Sequence, residues 1–236
     1  MKSIKNWDNK TWLSSKAYVS FFNKFLIKNA TLKSNSKILD IGCGRGKILG
    51  NLSTKLKLNS KPIGIDIENH RDKDKRILFK KTDGLNFFKT NKNSFDLILI
   101  KQTIHLLKIS EIKKLIKLCK KNLTPKGKIF IFTLDTFRNE IPTFKKMHKK
   151  LQNSLERDKK IVNFLITNNK KNIIKNFIFK VNVKKQEYLK MIRNRYISTL
   201  LDFTFDDIQL GCEEIKLKFN DEIKFRDKLK CIIIKK

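Results

Sequence analysis

The chain has 236 residues, 40% apolar and 33% charged, enough for one well-buried core, and no run approaches the ~18 apolar residues that a membrane span needs. Its 55 Lys and Arg against 22 Asp and Glu give a formal charge of +33, but 47 of those bases are Lys, only 8 are Arg, and they are spread along the whole chain. Phosphate and base readers favour the planar fork of Arg, so dispersed Lys reads as a solvated surface, with nucleic-acid binding the less favoured alternative.

The start, Met1-Lys2-Ser3-Ile4-Lys5-Asn6-Trp7, lacks the apolar region of a secretory signal, and the expectation is a soluble cytoplasmic protein. From Thr11 the spacing of Trp12, Leu13, Tyr18, Phe21, Phe22, Phe25 and Leu26 predicts an amphipathic helix over 11–30. Such a leader packs beside the following sheet or folds over its crevice, and Trp12 and Tyr18 are the side chains placed to reach a site. A buried strand over 36–41 then runs into Gly42, Gly44 and Gly46, and a helix over 45–56 follows with Ile48, Leu49, Leu52 and Leu56 on one side. A strand-to-helix turn of this kind needs residues that tolerate positive φ and let backbone N–H groups approach a ligand. The dinucleotide fingerprint would place its third glycine at position 47, which is Lys, and no Gly-Lys-Ser/Thr of a Walker loop is present.

A second strand over 61–67 carries Asp66, twenty positions beyond Gly46, where a ribose-binding carboxylate is expected; the alternative is a helix N-cap. A short third strand over 77–81 leads to Thr82-Asp83-Gly84. The fourth, 94–100, is continuously apolar and runs into Lys101-Gln102-Thr103-Ile104-His105. A helix over 109–123, with Ser110 as its cap, is stopped by Thr124-Pro125-Lys126-Gly127 before a fifth strand over 128–132. This alternation argues for a parallel sheet with right-handed crossovers. Beyond residue 133 the pattern predicts a helix over 140–168, a strand over 173–183, helices over 185–201 and 205–219, and a last strand over 228–234. The cysteines at 43, 119, 212 and 231 are widely separated, with no His at ligand spacing, so reduced thiols and no metal site are expected.

Asp40-x-Gly42-x-Gly44-x-Gly46 resembles the first motif of class I S-adenosylmethionine-dependent methyltransferases, and Leu123-x-Pro125-x-Gly127 is another feature of that family. The resemblance implies a Rossmann-like α/β fold, with a mostly parallel seven-stranded sheet flanked by helices and a helical cap insertion. One domain would span 1–236: a helical leader (1–33), a cofactor-binding core (34–134), and the remaining strands with the cap (135–236). It implies S-adenosylmethionine as cofactor, held by Asp40, Gly42, Cys43 through its backbone, Gly44 and Gly46. Asp66 and Ile67 would meet the ribose end, Asp83 and Gly84 the adenine, and Lys101 would lie beside the transferable methyl. The small-molecule branch that includes trans-aconitate methyltransferase is the most similar in outline.

The chemistry implied is in-line displacement by a small acceptor, with a carboxylate, thiol, hydroxyl or amine open, and alignment as the enzyme's main task. His105 is the candidate base. Arg193 and Tyr196 sit at helical spacing in the cap and, with Tyr18, are the candidate acceptor-side groups. The alternatives are an RNA methyltransferase and a non-catalytic cofactor-binding subunit. Against the first, Lys101-Gln102-Thr103-Ile104 stands where an amine-methylating Asn-Pro-Pro-Tyr tetrad would be.

Overall fold

The structure, a computed structural model, describes residues 10–169 and 171–236. Strands β1 (Ile38–Ile41), β2 (Ile63–Asp66), β3 (Leu78–Lys81), β4 (Phe95–Lys101) and β5 (Leu123–Leu134) run parallel. With β6 (Asn172–Lys184) and β7 (Glu222–Lys235) they form a seven-stranded sheet in the order 3-2-1-4-5-7-6, β7 being antiparallel to both neighbours. Strand order reverses between β1 and β4, and open α/β sheets bind ligands outside the carboxyl ends of the strands at such a switch point.

Period-two alternation divides the interior into two layers. Leu97 and Leu99 of β4, with Phe130 and Phe132 of β5, face one core, while Ile98, Ile100, Ile129 and Ile131 face the other. Burying each such side chain stabilises the fold by roughly 1.5–3 kcal/mol. The first core is covered by α1 (Lys16–Asn29) and α2 (Lys47–Leu56), and the second by α3 (Gly84–Thr90) and α4 (Ile109–Lys121). The long α5 (Lys145–Thr167) serves both, through Met147, Leu151 and Leu155 on one side and Ile161, Val162 and Leu165 on the other. Helices α6 (Lys185–Arg193) and α7 (Phe205–Lys218) pack on each other and extend the first core.

The leader is placed by its own sequence. Ser15 caps α1 by accepting a hydrogen bond from the Tyr18 N–H at 3.1 Å, and Tyr18, Val19, Phe22 and Leu26 form the buried stripe. Asn23 Nδ2 fastens this helix to α2 by donating to Ile48 O and Asn51 Oδ1, both at 2.9 Å.

Several boundaries differ from expectation. Helix α4 begins at Ile109 after Lys108, whose N–H donates to Glu111 Oε2 at 2.8 Å, so Ser110 is inside the helix and not its cap. The Thr124–Gly127 stretch does not end before the strand: β5 starts at Leu123 and absorbs these residues as an irregularity opposite β4. Strand β7 starts at Glu222, six residues before the expected start. The cap helix ends at Arg193, and the chain turns through Arg195 at φ 51° before a short 3-10 turn over Ser198–Leu200.

Candidate functional site

At the carboxyl end of β1, Gly42, Gly44 and Gly46 all have positive φ, at 75°, 54° and 71°. These are values that side chains rarely adopt, which accounts for glycine at every second position. The surroundings separate their roles. A Cβ on Gly42 would lie 2.1 Å from Thr103 Oγ1, and one on Gly46 would lie 2.2 Å from Ile77 Cδ1. A Cβ on Gly44 would meet nothing within 4 Å, so this side of the turn's middle faces open space. Cys43 turns its sulfur inward against Gly64, and burial together with Asp40 and Asp66 pushes its thiol far up, so this sulfur is no nucleophile.

Asp66 closes β2 beside the turn. Its Oδ2 accepts from the Gly44 N–H at 2.8 Å and its Oδ1 from the Glu68 N–H at 2.9 Å, which fixes the carboxylate against the glycine loop. It is not a helix cap. The next residue, Ile67, is an apolar side chain 54% exposed at the mouth of the crevice. Asp83 does cap a helix: its Oδ1 accepts from the Asn86 N–H at 2.9 Å, at the start of α3. At Gly84 a Cβ would meet Leu115 and Ile41 in the interior, so its smallness lets α3 approach the sheet.

Asp40, Lys101 and Thr103 meet across the switch point. Asp40 is 4% exposed and its Oδ1 has no hydrogen-bond partner. Burial pushes its carboxyl up to about 7, with Lys101 opposing the rise and Asp66 adding to it. The chain leaves β4 through Gln102 in the left-handed region at φ 54°, with the Gln102 N–H donating to Phe132 O at 2.9 Å. Strained backbone at the end of a strand that faces the crevice is characteristic of binding sites. Thr103 Oγ1 in turn donates to Lys101 O at 3.1 Å, seating its side chain over Gly42.

The acceptor-side candidates are distributed differently from expectation. Tyr18 is fully buried on the α1 face beside Lys101, whose Nζ lies 5.4 Å from its ring centroid. Tyr196 lies beyond the end of α6 and is 2% exposed in an aromatic cluster: its hydroxyl pairs with that of Tyr188 at 2.8 Å and its ring lies 5.2 Å from that of Trp12. Arg193 is exposed and acts electrostatically on Cys212 of α7. The left-handed break at Arg195 destroys the helical phase that would have paired Arg193 with Tyr196. His105 is half-buried near Arg157 of α5, and burial with that charge pulls it down to about 4, so it is neutral at physiological pH and a weak base. The residue not anticipated is Asp227 on β7, 2% exposed, whose Oδ2 accepts from Trp12 Nε1–H at 3.2 Å. Alternation of Ile223, Phe225, Leu229 and Cys231 as inward residues marks position 227 as inward too.

Among the described residues no group of three or more His, Cys, Asp and Glu is placed to hold a metal ion, and no helix is long and apolar enough to cross a membrane. A shallow pocket lined by Ser36, Lys37, Ile63 and Asn93 lies at the opposite, amino ends of β1 and β2.

A glycine turn after β1, an acid closing β2 and an antiparallel seventh strand inserted between β5 and β6 define the class I S-adenosylmethionine-dependent methyltransferase fold. The family described as a methyltransferase domain matches residues 32–196, and the chain belongs to it. None of the curated proteins matches significantly. Among solved structures, a protein described as a methyltransferase of an antibiotic biosynthesis pathway in Anabaena variabilis is similar at 15% identity and a TM-score of 0.67, over 91% of this chain and 96% of that one. The plantazolicin methyltransferase BpumL, in complex with a monoazolic desmethylPZN analog and SAH, is similar at 16% identity and a TM-score of 0.53, over 98% and 88%. Precorrin 8w decarboxylase of Methanobacterium thermoautotrophicum is similar at 12% identity and a TM-score of 0.53, over 90% and 88%. A decarboxylase and methyltransferases thus share this fold, and the reacting partner is a matter for the site.

Proposed function

We propose that the protein transfers the methyl group of S-adenosylmethionine to a small-molecule acceptor by in-line displacement. The observation that carries this reading is the coupling of the glycine turn to Asp66: the Gly44 amide is held by Oδ2 at 2.8 Å, at a point where nothing crowds the loop. A carboxylate so fixed is pre-organised to accept from the two hydroxyls of a ribose. Ile67 offers an apolar surface to the adenine, and Asp83, held at the start of α3, lies next along the same edge. The unpartnered Oδ1 of Asp40 fits the cationic amino group of the cofactor's methionine moiety, which would satisfy a buried acceptor otherwise left unpaired. The cofactor supplies an electrophilic methyl carbon on a sulfonium. The chain's part is to exclude water and hold the acceptor in line, which contributes on the order of 7–11 kcal/mol when alignment is good.

A small acceptor is favoured over a nucleic acid because the lysines are dispersed along the chain and not gathered in one stretch. The similar plantazolicin methyltransferase is in complex with a monoazolic desmethylPZN analog and SAH. Calorimetric titration with S-adenosylmethionine, followed by a screen of small acids, thiols, alcohols and amines for S-adenosylhomocysteine release, tests the reading. Saturable binding weakened by Asp66→Ala is expected, and no binding to the wild-type protein would refute it.

A further inference from the structure

Strands β6 and β7 run past the rest of the sheet as a two-stranded ribbon: β5 ends opposite Leu229, and β7 from Glu222 to Lys228 is paired along its length with β6. One side of the ribbon, with Phe177, Val181, Phe225 and Leu229, packs into the first core. On the other side α5 covers the end where Ile232 and Ile234 join the second core. Elsewhere on that side Ile174, Ile178, Lys180, Lys224 and Arg226 are exposed.

The register concentrates positive charge on this open side. Lys180 stands directly opposite Arg226, and like charges in that position destabilise a sheet. Six bases (Lys180, Lys184, Lys224, Arg226, Lys228 and Lys230) share the side, and carboxylates answer part of their charge: Glu140 is divided between Arg226 and Lys228, and Glu222 meets Lys224 at 3.1 Å. Along the sequence these bases are no denser than the rest. It is the pairing of two strands separated by α6 and α7 that gathers them. Apolar side chains lie among them: Ile174 and Ile178 are each 44% exposed, and Phe137, just after β5, is 70% exposed. Its ring centroid lies 5.3 Å from Lys230 Nζ and 4.9 Å from Lys159 Nζ, which ties it to the basic side.

We propose that this open side of the ribbon docks on a bilayer surface carrying anionic lipid. Lysine stems lie along apolar surface while their ammonium groups reach headgroup phosphates, and Phe137, Ile174 and Ile178 enter the boundary beneath. A nucleic acid suits the side less well. Its one arginine is already clasped by Glu140, with Nε 2.9 Å from Oε2, and the residues between the bases are mainly aliphatic, where base stacking needs aromatic rings. The inference does not depend on the methyl-transfer reading.

The test is co-sedimentation of the full chain, at physiological ionic strength, with vesicles of phosphatidylcholine mixed with phosphatidylglycerol and with vesicles of phosphatidylcholine alone. Binding to the mixed vesicles only is expected. Lys180→Gln combined with Lys224→Gln should weaken it at least about tenfold, from the charge each lysine contributes near an anionic surface. The matched control, Lys113→Gln with Lys117→Gln on the exposed side of α4, removes the same charge elsewhere and should weaken it less than about twofold. Phe137→Ser should weaken it at least about fivefold through lost apolar burial. Thermal melts report that each variant is folded. The inference is overturned if the mixed vesicles do not bind, if plain phosphatidylcholine binds as well, or if the control pair weakens binding as much as the ribbon pair. Binding unchanged in Phe137→Ser would equally overturn the docking of this side. Poly(U) RNA that binds at the same ionic strength and is lost with the ribbon pair would assign the side to nucleic acid instead.

Discussion

Asp40→Asn removes one buried charge with almost no change of shape. The wild-type carboxyl is 4% exposed, and its pKa is pushed from 3.8 to about 7, chiefly by burial. An acid with a raised folded-state value binds its proton more tightly in the folded protein than in the unfolded chain. It therefore costs nothing below pH 4, costs progressively more as pH rises, and reaches its full cost above pH 7. At about 1.4 kcal/mol per unit, the full cost is about 4 kcal/mol, of which about 3 kcal/mol accrues between pH 5 and pH 8. Urea unfolding of the ligand-free protein at those two pH values isolates this residue, because the other titrating groups are common to wild type and variant. The wild type should lose about 3 kcal/mol more than Asp40→Asn over this interval, while the variant binds S-adenosylmethionine more weakly. Parallel pH dependences in the two proteins would show that Asp40 titrates like an exposed acid, and the derivation of its role from burial would fail.

Asp66→Ala should weaken S-adenosylmethionine binding by roughly 1.5–3 kcal/mol, and unchanged calorimetric affinity would remove the ribose assignment. Gly42→Ala and Gly44→Ala make a contrast: both pay for positive φ by about 1–2 kcal/mol, but only the first also drives a methyl to within 2.1 Å of Thr103 Oγ1. Thermal melts should therefore drop further for Gly42→Ala, while both lose cofactor affinity; equal melting losses would contradict the packing. Glu140 accepts from Arg226 and Lys228 and is held down to about 2, so its contribution is present above pH 4.5 and lost as pH falls through about 2. Its side chain is partly exposed and its partner Arg226 is open to solvent, so Glu140→Gln should cost less than about 1 kcal/mol at pH 7 in urea unfolding. Finally, dispersed Lys predicts polyanion binding that is visible at low salt and falls away by physiological ionic strength. A tight RNA complex surviving there, with methyl transfer to that RNA, would displace the small-molecule reading.

The parts of this protein legible in the sequence are those governed by local spacing. The glycine turn, Asp66 at the end of β2 and the alternation of strands with helices each follow from neighbouring residues, so their conformations in the structure agree with the pattern. Helix α3, at seven residues, is too short to establish a period, and β5 extends past a Pro-Gly stretch because pairing with β4 outweighs local turn preference. Tyr196 shares no helical face with Arg193 because α6 ends at Arg193 and Arg195 is left-handed, and nothing in the spacing announces such a break. Asp227 meets Trp12 across 215 positions of sequence. Alternation along β7 reveals only that this carboxyl points inward; that it points at Trp12, Tyr18 and Lys101 depends on strand order, register and the seating of α1, and only the assembled sheet decides which buried charges share a space.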